Sequence, residues 1–138
     1  MIQENKFNGK KFYHMMHPDS PNHEWDNLVI HNKARPRAVF TFWMLCHRKL
    51  PTRMRLFRWG MVNSTVCTFC DQDETIDHLF FDCCVTQRIW KGVLNWMHIQ
   101  HESGNWEHEL KWLLLHYRGK GWRAELMRME IAETVYEV

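Results

Sequence analysis

Long hydrophobic runs are missing from this chain of 138 residues. Its longest apolar stretch, around Ala38 to Cys46, falls far short of the roughly 20 residues a membrane-spanning helix needs, so no membrane role is expected. The first eleven residues are polar and lack the apolar segment of a secretory signal. Cysteine is scarce and odd in number, five in all, and three of the five fall between positions 67 and 83. That distribution excludes an evenly spaced extracellular disulfide framework and points to an intracellular, reducing compartment. Sustained alternation of apolar and polar residues is also absent, which excludes a sheet-based fold. Acidic side chains are missing altogether between Asn27 and Cys70.

What is present is enough for one small folded domain. The chain is 45% hydrophobic and 14% aromatic, with eight Trp, eight Phe and nine Met, a composition that excludes a disordered polypeptide. Residues 1–24 are weakly patterned, and Phe12 and Tyr13 are expected to dock on the body. A short apolar run at 27–30 reads as one extended stretch. From Ala34 the period becomes helical, with Pro36 in the first turn, where its missing N–H costs nothing. Val39, Phe40, Trp43, Met44 and Cys46 then form one broad face, and Pro51 stops the helix. Thr52 is placed to cap a second helix over 53–59, which Gly60 ends. Thr75 is placed to cap a short helix carrying His78 and Leu79.

Three amphipathic helices follow. The first has Val85, Ile89, Val93 and Trp96 as its stripe, and the second has Trp106, Leu110, Leu113, Leu114 and Tyr117. Trp122, Leu126, Met129 and Tyr136 mark the third, with Met127, Ile131 and Val135 beside them. The pattern reaches Val138 without a cap, which reads as a truncated helix. The expected fold is mostly α: a small helical domain with a metal knuckle between helix pairs. Its divisions are an N-terminal segment (1–24), a knuckle-bearing domain (25–92) and a C-terminal helical extension (93–138).

The knuckle is Cys67-Thr-Phe-Cys70, followed by His78 and Cys83. Three thiolates and one imidazole are the donor set of a closed tetrahedral zinc site. The alternative, buried small hydrophobes and a satisfied core histidine, leaves their arrival together at ligand spacing unexplained. In a continuous α-helix, residues five apart are about 140° out of phase. His78 and Cys83 therefore share an ion only if the helix loosens before Cys83. Cys84, six residues from His78 and about 120° away on the other side, is the less favoured substitute. Four protein donors leave no open position for substrate water, so the zinc is structural. A deaminase-type zinc site needs Glu two residues after its His, and Phe80 stands there.

The acid-free stretch carries Lys33, Arg35, Arg37, Arg48, Lys49, Arg53, Arg55 and Arg58, and is followed at once by Asp71, Asp73, Glu74, Asp77 and Asp82. Such segregation makes a cationic patch able to meet phosphates. Arg48, Lys49, Arg53, Arg55 and Arg58 are the candidates for backbone contact with RNA or DNA, with Phe57 and Trp59 as stacking planes. The competing reading makes them solvated helix faces, some paired with the acidic run. His98, His101, His108 and His116 read as surface positions, and Cys46 as a core residue. No small-molecule substrate is indicated.

Taken in order, these residues resemble the zinc-binding domain that follows the reverse transcriptase of plant LINE-type, non-LTR retrotransposons. The resemblance rests on Pro36-Arg-Ala-Val-Phe-Thr-Phe-Trp43, Lys49-Leu-Pro-Thr-Arg-Met-Arg-Leu56, Arg58-Trp-Gly60, Cys67-x-x-Cys70, Asp73-Glu-Thr75, His78-Leu-Phe-Phe-Asp-Cys83 and Ile89-Trp90. It implies zinc held by Cys67, Cys70, His78 and Cys83, and a retroelement polymerase as a partner. Cys84 stands where the family often has Pro, and the family's usual Trp and Arg-Asn pair after the domain is missing. No aromatic-x-Asp-Asp motif of a polymerase occurs, so the chain itself reads as non-catalytic. The expected function is a zinc module assisting nucleic-acid binding; the alternatives are a protein-docking domain or an inactive retroelement relic.

Overall fold

The structure is a computed structural model that describes residues 23–30 and 32–138. Most of the N-terminal segment expected over 1–24, with Phe12 and Tyr13, lies outside the described residues. The described chain is helical, with α1 (Asp26–Ile30), α2 (Pro36–Cys46), α3 (Arg53–Arg58), a π-helical turn (His78–Asp82), α4 (Cys84–Trp96), α5 (Trp106–His116) and α6 (Trp122–Glu137). A lone antiparallel bridge between Val66 and Asp73 is the extent of β pairing among these residues. The expected mostly α class is therefore observed. Among the described residues, no helix is long and apolar enough to cross a membrane.

Helix α6 lies along α2, the π turn packs on α4, and α1 rests on α2. Phe42, Leu45, Trp106, Leu113, Met127 and Ile131 fill the centre. Residues on both sides of the expected boundary at 92 contribute to this one core. Trp106 is its hinge: its ring stacks on Phe81 at 6.2 Å and meets the edge of Phe42 at 6.1 Å. It thereby joins α5, the π turn and α2, and truncating so buried an indole costs about 3–5 kcal/mol. At the N-terminus of α2, the Arg35 N–H and Nε bind the two oxygens of Glu133 at 2.9 and 2.7 Å. That hydrogen bonding holds the Glu133 carboxyl below the usual carboxylate range. The clamp's contribution is present above the ordinary carboxylate pKa and is lost as pH falls through the lowered one.

Several local expectations are corrected. Residues 27–30 are helical rather than extended, because the Asp26 carboxylate accepts the His23 N–H at 2.8 Å and the turn buries Leu28 and Val29. Helix α2 ends at Cys46, before Pro51. Its buried face is Ala38, Phe42, Leu45 and Cys46, while Phe40 is exposed. On α4 the core face is Thr86, Trp90 and Leu94, one residue on from the expected stripe, which leaves Ile89 and Trp96 in solvent. On α6 the core takes Ala124, Met127, Arg128, Ile131, Ala132 and Val135, and Trp122 points outward.

Three helices end in the same way, and only one uses glycine. After α2, Arg48 N–H bonds Leu45 C=O and Lys49 N–H bonds Met44 C=O, both at 2.8 Å. After α3 the same pair of bonds runs from Gly60 and Met61, and after α4 from His98 and Ile99. This is the Schellman pattern, which places the residue after the cap in left-handed backbone. The φ values are +52° at Arg48, +70° at Gly60 and +56° at His98. A Cβ in that region is strained by roughly 1–2 kcal/mol, partly offset by the larger unfolded-state freedom of glycine. His98→Gly is expected to raise stability by about 0.5–1 kcal/mol, a rise of a few degrees in thermal midpoint. Calorimetry of the two proteins checks this, and a lowered midpoint contradicts it.

Candidate metal centre

The donor side chains come from two pieces of chain that meet at the N-terminus of α4. The first is the tight loop closed by the Val66–Asp73 bridge. Cys67 N–H bonds Gln72 C=O and Glu74 N–H bonds Thr65 C=O, both at 2.8 Å, while the Thr65 hydroxyl binds the Asp73 carboxylate. Within this loop the Phe69 N–H points at the Cys67 sulfur, 3.4 Å away. The second piece is the π turn. Thr75 caps it by accepting the His78 N–H at 3.1 Å. At its far end the Cys83 N–H bonds His78 C=O at 3.0 Å, a span of five residues that an α-helix does not make. The widened turn brings His78 and Cys83 to one face, and Cys83 then leaves the helix in extended backbone, at φ −71° and ψ 133°.

The three Sγ atoms and the His78 ring nitrogen all lie within 4.8 Å of one another. Cys67 and Cys83 sulfurs are 3.9 Å apart, and Cys70 Sγ is 3.2 Å from His78 Nε2. A tetrahedron with bonds of about 2.3 Å to sulfur and about 2.0 Å to nitrogen has edges of roughly 3.8 Å and 3.5 Å. The donors thus fit a zinc ion in chemistry and in spacing. Cys67, His78 and Cys83 are buried and Cys70 is half-buried; Cys84 is exposed and outside the cluster.

The electrostatics favour a cation. Burial works against ionising Cys83, but the backbone N–H groups of Val85 and Thr86 at the start of α4, with the neighbouring thiols, bring it below the ordinary thiol range. For Cys70 the Gln72 N–H favours the thiolate, yet desolvation and the thiols of Cys67 and Cys83 outweigh it and push the group up. One thiolate forms readily and the next is resisted, the behaviour of like charges sharing a site without a counterion. A divalent ion removes that resistance. Cys46 has no share in this: it is buried in the core as expected, and desolvation pushes its thiol well up.

Two of the acidic residues around the knuckle, Glu74 and Asp77, tie helices to it. Glu74 accepts the Arg53 N–H through its carboxylate at 3.0 Å and the Met54 N–H through its carbonyl at 3.4 Å, closing the N-terminus of α3 beside the Thr52 cap. Asp77 accepts the Trp106 N–H at 2.8 Å and so caps α5; its other oxygen lies 3.9 Å from Arg48. Sequence reasoning missed both roles. For Asp77, 29 positions from its partner, no local pattern carries the signal.

The candidate phosphate contacts divide. Arg48, Arg55 and Arg58 line an open groove of about 510 Å³ beside the knuckle, together with Trp59, Thr75 and Asp77. Lys49 and Arg53 are absent from its wall. Arg55 lies over the exposed Trp59 ring at 5.1 Å and donates to Arg48 C=O at 2.8 Å. Lys33 and Arg35 are engaged elsewhere, by Glu125 and by Glu133 with Glu137. Among the histidines, His98, His108 and His116 are exposed, but the expectation for His101 is corrected. Its side chain is 8% exposed, held by Glu109 at 3.0 Å and stacked on Trp112.

A helical domain pinned by a Cys3His cluster defines the class, a small zinc-binding module. Residues 7–90 match the family model described as zinc-binding in reverse transcriptase, and the chain belongs to that family. The family describes a zinc-binding domain rather than a catalytic one. No curated protein and no solved structure matches the chain.

Replacing Cys83 by Ser is expected to abolish metal retention at the cysteine cluster and cooperative unfolding. Cys84→Ser is expected to keep the metal content of the unaltered chain and change stability by less than about 0.5 kcal/mol. Elemental analysis with thermal melts distinguishes them, and metal loss in Cys84→Ser alone would reverse the ligand assignment.

Proposed function

We propose that this chain is a non-catalytic, zinc-stabilised module of retrotransposon origin that helps hold RNA or DNA. In this reading Cys67, Cys70, His78 and Cys83 hold one zinc, the source is a plant LINE-type element, and the setting is intracellular and reducing. The observation that carries nucleic-acid binding is the groove beside the knuckle. Arg48, Arg55 and Arg58 line it, the half-exposed rings of Phe57 and Trp59 lie on the short helix of Arg55 and Arg58 and its cap, and among the described residues Asp77 is the one carboxylate on its wall. Guanidinium groups meet phosphate oxygens, and exposed aromatic faces stack on unpaired bases. Glu74 fixes α3 to the knuckle, so zinc sets the orientation of Arg55 and Arg58 without touching the nucleic acid.

A second reading has its own observation. Val85, Ile89, Gly92 and Trp96 share one outward face of α4, with Ile89 45% and Trp96 66% exposed. An apolar face of that kind suits docking on a protein such as the polymerase of the same element.

The two readings separate by salt and by charge. Phosphate contact weakens steeply as salt rises, with a log–log slope of about −0.7 per contact on single strands. The double substitution Arg55→Glu, Arg58→Glu is expected to weaken binding of a labelled single-stranded RNA or DNA at least tenfold and to flatten that slope. Retained helicity and metal content serve as controls. Unchanged affinity in the double variant refutes the groove as the binding surface.

A further inference from the structure

Outside the segment matched by the family model, a second group of metal-ligating side chains converges at the N-terminal half of α5. Glu109 is fully buried, and its oxygens accept from Trp90 Nε1 at 3.1 Å and Gly104 N–H at 2.9 Å. His101 Nε2 lies 3.0 and 3.1 Å from the two Glu109 oxygens, and His108 Nδ1 lies 3.5 Å from Oε1. One ligand atom from each of the three residues falls within 4.8 Å of the others.

We propose that His101, His108 and Glu109 form a second metal site, for one divalent transition ion of the zinc and cobalt class. Two imidazole nitrogens and a carboxylate oxygen are borderline donors suited to such ions. Bonds of about 2.0–2.1 Å in a tetrahedron require edges of roughly 3.3 Å, and the observed separations of 3.0 and 3.5 Å bracket that value. The ion takes the place of the proton between His101 Nε2 and Glu109, and that proton leaves to solvent.

The surroundings are those of a ligand set held in place. Trp90 and Gly104 fix the carboxylate, as outer donors fix metal-binding carboxylates generally. The His101 ring is clamped flat on Trp112, with centroids 3.8 Å apart. Gly104 leaves the room that His108 occupies, since a Cβ there would sit 2.8 Å from His108 Nδ1. The adjacent Ser103 hydroxyl is buried with no hydrogen-bond partner among the described residues, a polar group with capacity for a further contact. Three protein donors leave a position open, unlike the four at the cysteine cluster. That open position is one a water molecule or a further ligand can take.

The test is metal counting on the full chain. Protein first given one equivalent of zinc is titrated with Co²⁺, followed by visible absorption, and total bound metal is then measured. The expected result is one further ion per chain, with a cobalt spectrum lacking thiolate-to-metal charge transfer. The exposed His108 is replaced by Ala without threat to the core, and His108→Ala is expected to weaken this second binding at least tenfold. Gly104→Ala, which displaces the His108 ring, should act in the same direction. The site is scored as metal lost in these variants relative to the unaltered chain, so the result stands whatever the cysteine cluster holds. Equal metal content in all three proteins, or cobalt bound only with thiolate charge transfer, overturns the proposal.

Discussion

The bond from Cys83 N–H to His78 C=O, spanning five residues, is the constraint on which the rest of this structure depends. In an α-helix the two side chains would face apart, and the quartet of donors could not assemble. The widened turn solves that problem, and it also ends in the extended backbone that lets Cys83 serve as the cap of α4. The same few residues therefore bring the cluster together, start a 13-residue helix and insert Phe80 and Phe81 into the core. Structural zinc in small modules supplies about 10–16 kcal/mol, comparable to the whole stability of a domain this size.

From that turn the order spreads through polar ties. Glu74 closes α3, Asp77 closes α5, and Phe81 stacks on Trp106, so α3 and α5 take their positions from the segment between Thr65 and Cys83. The basic groove inherits its shape from the same ties. Two of its arginines, Arg55 and Arg58, belong to a six-residue helix too short to be stable by itself, and the knuckle supplies what the helix lacks.

Much of this was legible in the sequence. The donor spacing named the four clustered residues, and the phase argument required a loosened helix between His78 and Cys83. Thr52, Thr75 and Pro36 announced their helix starts by local chemistry that does not depend on the rest of the fold. The helix faces were less legible, because the core contains polar residues that an apolar stripe cannot reveal. Thr86, Glu109 and Arg128 are all buried, with Glu109 satisfied by Trp90, Gly104 and His101, and Arg128 by the carbonyls of Tyr117 and Gly119. Thr86 shares its face with Trp90 and Leu94, and Arg128 shares its face with Met127, Ile131 and Val135, so a polar residue interrupts the apolar series on the true core side of α4 and α6. The early end of α2 escaped for a similar reason: Arg48 takes a left-handed position that sequence normally marks with glycine.

The central claim is that metal at the cysteine cluster holds the helices together. Its most direct test is the metal content of the purified chain, with helicity followed by circular dichroism as a strong chelator is added under reducing conditions. Zinc retained through dialysis, and helical signal lost in step with its removal, is the result this account predicts. A chain without bound metal that keeps its helicity and melts cooperatively would contradict it.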